Sequence, residues 1–325
     1  MTPELPDGYT WSCPALDDVE AIYALVAVHD TRVVGFPDLT LDDVRDELND
    51  PDFNPKSDGW LVADSDGAVV GYGWASRKGI SDEIVIDVLI TDDDVDGWLW
   101  ERVLDRCGEI AAELGHAEVN VDIGIFRADD DQRRRAEHLG FTPSTTFHRM
   151  RVDHVELPPE PELPSGVEVG IGLDAEQFRR DALSVTSAAN VGQFGYVART
   201  FDEWRDATEA SSAHDWSQLR VVYLEGEPVA ALQANDQFVE DENCGYVQRL
   251  AVVEAARGRG LAKLLLRQAF AADARRGRAG TILHVDTNNP TPALDLYLGV
   301  GMRAVLVIDV WRRKLDLRPV GGGLR

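Results

Sequence analysis

The chain has 325 residues, enough for two domains of ordinary size, and its 44% hydrophobic and 28% charged residues are the proportions of a globular protein. A formal net charge of −26 argues against nucleic acid as a partner, because phosphates would be repelled over most of the surface. No apolar run approaches the ~20 residues of a membrane span, residues 1–7 lack the basic and apolar stretches of a secretory leader, and Cys13, Cys107 and Cys244 are too scattered for a disulfide framework or a metal knuckle. The expectation is a cytoplasmic protein, monomer or homodimer, without membrane association.

Taken in chain order, residues 17–30 place Val19, Ile22, Leu25 and Val26 at helical spacing. Residues 59–76 are two apolar runs around Asp66-Gly67, the signature of a hairpin. Residues 83–90, EIVIDVLI, read as a strand, and residues 103–114 as a helix. The stretch VELPPEPELPSG, 155–166, reads as an extended linker, since its prolines fix φ and remove backbone donors. Beyond it the order repeats: a helix over 174–190, a hairpin over 219–235 turning at Glu225–Glu227, a strand at 246–253, a helix at 261–274, a strand at 281–287, a short helix at 291–301 and a strand at 303–315. The expectation is a tandem repeat of one α/β domain, with domains at 1–154 and 167–317 and a flexible tail at 318–325.

One loop of the second half departs from the charge of the whole. Between residues 249 and 278 eight cationic side chains face only Glu254 and Asp273. Arg257, Gly258, Arg259 and Gly260 lie between a strand and the helix that starts at Leu261. A helix N-terminus presents free amides and the positive end of its dipole, and glycines let ligand oxygens approach the backbone, so this loop is suited to a pyrophosphate. Its spacing matches neither GxxxxGK[ST] nor a dinucleotide-binding GxGxxG. No HxxxH or HExxH pattern occurs among the histidines, so no metal is expected.

Arg257-x-x-Gly260-x-Ala262, directly after the strand carrying Leu250, Ala251 and Val252, resembles motif A of the GNAT family of N-acetyltransferases. Downstream, Ala293, Leu296, Tyr297 and Gly301 match that family's N-x-x-A-x-x-LY-x-x-x-GF segment. Met302 stands where Phe is usual, and Asn289 lies one residue further from Ala293 than the pattern. The resemblance implies an α+β fold of two GNAT-like domains, each a mixed, mostly antiparallel sheet with splayed central strands flanked by helices. It implies acetyl-CoA as co-substrate, its pyrophosphate on Arg257, Gly258, Arg259, Gly260, Leu261 and Ala262. Its pantetheine arm would lie along Leu250, Ala251 and Val252, with Asn289 assisting. It further implies that an amine attacks the thioester directly and that Tyr297 protonates the departing thiolate, as a phenol can. Related enzymes often carry a glutamate base near the position of Tyr246. Glu240, Asp241 and Glu242 precede that strand, and Glu242 acting through water is the candidate base.

The first half keeps the scaffold without these groups. Asp92, Asp93, Asp94 and Asp96 crowd the loop equivalent to the cationic one, and Ala136 falls at the tyrosine position. A non-catalytic first domain is therefore expected. For the whole chain the expected activity is transfer of an acetyl group to the primary amine of a small molecule. A mycothiol synthase-like enzyme, a protein N-acetyltransferase and a non-catalytic acyl-CoA-binding module are the alternatives.

Overall fold

The computed structural model describes residues 4–194, 196–288 and 293–317. Among them the strands are β1 (Thr10–Ser12), β2 (Gly59–Ala63), β3 (Val69–Arg77), β4 (Glu83–Ile90), β5 (Glu118–Phe126), β6 (Thr142–Asp153), β7 (Val167–Ile171), β8 (Leu219–Leu224), β9 (Glu227–Asn235), β10 (Cys244–Val252), β11 (Gly280–Asp286) and β12 (Arg303–Asp316). The helices are α1 (Val19–Val34), α2 (Leu41–Leu48), α3 (Pro55–Asp58), α4 (Asp96–Leu114), α5 (Asp130–His138), α6 (Glu176–Asn190), α7 (Phe201–Glu209), α8 (Val239–Glu242), α9 (Leu261–Arg275) and α10 (Ala293–Gly299).

Two compact units result: Met1–Thr145 with Ile308–Arg325, and Thr146–Val307. Each carries four strands in antiparallel succession, a fifth parallel to the fourth, and a sixth antiparallel to the fifth. The sixth strand comes from the other half of the chain. Residues 308–316 of β12 pair with β5 in the first unit, and residues 147–153 of β6 pair with β11 in the second. The units therefore do not divide at 155–166, where the linker was expected. Both β6 and β12 are alternating strands that follow a short helix, and alternation fixes which face is buried, not which neighbour is chosen. The tail at 318–325 lies outside the described residues.

Helices cover both faces of each sheet. In the second unit α9 packs Leu261, Leu264, Leu265 and Ala269 with Val247 and Leu283 on one face. On the other face α6 packs Ala182 and Val185 with Val221 and Ala251. The first unit repeats this with α4 on one face and α1 on the other. A strand enclosed on both sides reads as a nearly continuous apolar run in TILHV of β11, whereas β5, VNVDIGI, alternates despite its cover.

The central parallel pair opens in both units. β10 pairs with β11 only from Cys244↔Gly280 to Val247↔Leu283, yet β10 runs on to Val252. β4 pairs with β5 only from Glu83↔Asn120 to Ile86↔Ile123. The splay expected between the central strands is thus present, and in the second unit a bulge between Val247 and Arg249 bends β10 where it begins.

Candidate active site

α9 is seated by a buried contact at its far end. Asp273 accepts hydrogen bonds from Thr281 Oγ1 at 2.6 Å and Arg278 Nη1 at 2.9 Å. A Cβ at Gly245 would lie 2.1 Å from the Asp273 carboxylate, so glycine on β10 is what lets the helix come this close. Fixing that end sets the N-terminus of α9 at the mouth of the splay. There Gly260 is the helix cap, with φ +78 and no side-chain cap bond, and the first turn contains no acidic residue. An L-residue in that left-handed conformation would cost ~1–2 kcal/mol. The first-turn amides are thus left for a ligand.

These elements enclose a cleft of ≈ 380 Å³. Leu250, Ala251 and Val252 form one wall, and Arg257, Gly258, Gly260, Leu261, Ala262 and Lys263 form the cationic end. Asn190 and Gln193, at and just after the end of α6, and Leu296 and Tyr297 of α10, close it. Tyr297 is 8% exposed, and among the described residues its hydroxyl has no hydrogen-bond partner. Burial pushes its pKa up to about 12, so at neutral pH it holds its proton. The cleft thus combines open amides, cationic side chains and a protonated phenol, which suits a thioester carried on a pyrophosphate arm.

The structure brings together most of the residues singled out in the sequence, but not all. Arg259 does not line the cleft. Asn289 lies outside the described residues. Glu242 is a correction: it closes α8 ahead of β10 and accepts from Arg149 Nη1 at 2.9 Å and Arg151 Nη1 at 2.5 Å. It is not among the cleft walls, and each of its oxygens is already engaged by a guanidinium. This pairing was not legible from spacing, because Arg149 and Arg151 lie on β6, 93 and 91 residues away. Instead, Tyr246 and His284 stand at the point where β10 and β11 part. Tyr246 Oη and His284 Nδ1 are 3.1 Å apart. Burial and the neighbouring Arg149 push His284 down to about 3, and burial raises Tyr246 to about 12, so both are neutral at pH 7.

In the first unit the corresponding groups are taken by the protein itself. Asp92 Oδ1 accepts from the amide of Asp94 at 3.1 Å, and Asp92 Oδ2 accepts from Tyr9 Oη at 2.6 Å. The hydrogen bond from Tyr9 holds the Asp92 carboxyl below its ordinary pKa. Gln132 Nε2 donates to the carbonyl of Val88, in the part of β4 that lies beyond its pairing with β5. Asp96 pairs with Arg135, and Ala136 is fully buried. Among the described residues no group of His, Cys, Asp or Glu side chains could hold a metal ion, and no helix is long and apolar enough to cross a membrane.

Residues 187–302 match the acetyltransferase (GNAT) family model. The chain matches no curated protein. Among solved structures it resembles a GCN5-related N-acetyltransferase from Sphaerobacter thermophilus, with a TM-score of 0.80 and 23% identity over 97% of this chain and 98% of that one. It also resembles a tandem GNAT protein from the clavulanic acid biosynthesis pathway, with a TM-score of 0.70 and 13% identity over 96% of this chain and 100% of that one. Saccharomyces cerevisiae N-myristoyltransferase with bound myristoyl-CoA shares the fold at a TM-score of 0.60 and 9% identity, over 96% of this chain and 79% of that one.

Proposed function

From the premise that this chain is an acyltransferase, carrying a GNAT-family domain over residues 187–302 and drawing on a coenzyme A thioester, we propose that it moves an acetyl group from acetyl-CoA to the primary amine of a small molecule. The reading rests on one observation above the others. Tyr297, protonated and without a hydrogen-bond partner among the described residues, borders the same cleft as the uncapped N-terminus of α9.

In this reading the amides of 258–262 hold the pyrophosphate, with Arg257 and Lys263 beside them. The backbone of 250–252 receives the pantetheine arm where β11 has turned away. The amine attacks the thioester carbonyl, the C–S bond breaks, and Tyr297 gives its proton to the departing thiolate. Holding amine and thioester together in the splay supplies much of the remaining rate. The ammonium must first lose a proton, and since no carboxylate is found among the described residues that line the cleft, solvent in the cleft is assigned that task. The first unit takes no acyl-CoA, because Asp92 and Gln132 occupy the groups that would bind it.

Thiol release from acetyl-CoA, followed over a panel of small amines, tests the proposal. Tyr297→Phe is expected to lower kcat by about a hundredfold, in the range of general-acid catalysis, with acetyl-CoA affinity retained. Full turnover in this variant removes Tyr297 from the mechanism. Tight binding of acetyl-CoA with no thiol released for any amine supports a non-catalytic module instead.

A further inference from the structure

Arg249 stands out on β10. It follows the bulge where the strand leaves β11, and its backbone is paired with Gln233 of β9. Leu250 packs into the core under α9 and Ala251 into the core under α6, so alternation along the strand directs Arg249 to the α6 face. Its neighbours there are Tyr246, Tyr196 and Arg199. It is crowded by protein yet open to solvent, as at the rim of a concave site. Among the described residues it has no ion pair and no hydrogen bond, in a chain whose acidic residues outnumber its basic ones by 58 to 32. Burial and Arg199 both draw its pKa below the ordinary arginine value, and no carboxylate offsets them. Arg149, by contrast, is neutralised by Glu242.

The proton arrangement beside it is also informative. Arg149 Nε donates to His284 Nε2 at 3.4 Å, which places the imidazole proton on Nδ1. Nδ1 then donates to Tyr246 Oη, and the phenol proton is left to point elsewhere. One unneutralised guanidinium and one phenol proton not taken by His284 therefore stand together at the splay. Two donor groups and a single positive charge match a carboxylate.

We propose that Arg249 and Tyr246 bind a carboxylate on the acceptor, so that the acceptor class is amino acids and related amino-carboxylates. The inference rests on the acyl-transfer reading above and narrows its small-molecule primary amine to one that also carries a carboxylate. A phosphate dianion would call for a second free cation, whereas Arg199 already has a partner.

The test is a binding experiment that needs no turnover. α-Amino acids, their carboxamides and phosphoethanolamine are titrated by calorimetry into the full chain saturated with coenzyme A. At least one amino acid is expected to bind about tenfold or more tightly than its carboxamide, as a charge-assisted bond to arginine implies. Arg249→Gln brings that ratio close to one, Arg249→Lys restores part of it, and Tyr246→Phe lowers it. Equal binding of acid and carboxamide, absence of binding by every amino acid, preference for phosphoethanolamine, or a ratio unchanged in Arg249→Gln each overturns the proposal. Failure of the acyl-transfer reading shows separately, as no thiol released when acetyl-CoA replaces coenzyme A.

Discussion

His29, 5% exposed, lies between two carboxylates, with Nε2 2.9 Å from Asp129 and Nδ1 3.1 Å from Asp30. Burial alone would lower its pKa, but the hydrogen bonds to Asp129 and Asp30 outweigh it and raise it to about 9. Nearby in the same unit, burial pushes Asp87 up to about 6 and Glu47 up to about 8. All three groups bind protons more tightly folded than unfolded. The stability that His29 contributes is complete below its unfolded value of 6.5 and is lost as pH rises through about 9. Glu47 adds a loss of the same sign as pH rises through about 8. Thermal unfolding followed from pH 6 to 10 is therefore expected to show the melting temperature falling, and His29→Gln to flatten part of that slope. A melting temperature that rises over this range contradicts the assignment. This was not legible in the sequence, since Asp129 lies 100 residues from His29 and adjacency to Asp30 does not by itself place the two side chains in contact. Tyr297 was legible, because a fixed spacing to Ala293 and Gly301 carries it.

At the scale of elements, the uncapped start of α9 is what separates the two units. Its counterpart, Asp93–Val95 leading into α4, carries its own anion in Asp92. A carboxylate introduced at Gly260 would both strain a left-handed residue and place like charge where the pyrophosphate is to sit. Gly260→Asp is therefore expected to weaken acetyl-CoA binding about tenfold or more in calorimetry, a loss of ~1.4 kcal/mol or greater. Unchanged affinity rules out this loop as the cradle. The loop could be read from the sequence because its glycines, cations and helix onset are contiguous. The start of α4 could not: the helix begins at Asp96, not near residue 103, because Asp96 and Gly97 look like turn residues and only the packing of Trp98 and Leu99 in the core makes that turn helical. The role of α8 was likewise hidden, since Glu242 is claimed by arginines on β6.

For the whole molecule, the repeat is visible in the order of elements, and the exchange of sixth strands is not. β12 is tied to β5 along Ile308–Phe126 to Asp316–Glu118, with Arg312 gripping Asp122 at 2.6 and 2.7 Å, and those partners become evident only in three dimensions. The repeat has diverged at the level of chemistry: one unit keeps an open helix terminus and a phenol without a hydrogen-bond partner among the described residues, while the other has filled the same places with Asp92, Gln132 and Ala136. The stoichiometry of acetyl-CoA binding to the full chain, measured by calorimetry, tests this division most directly. One equivalent per chain, weakened by Gly260→Asp, is the expected result. Two equivalents per chain, or a single equivalent that Gly260→Asp leaves untouched, would mean that the second unit is not the sole seat of the acyl donor.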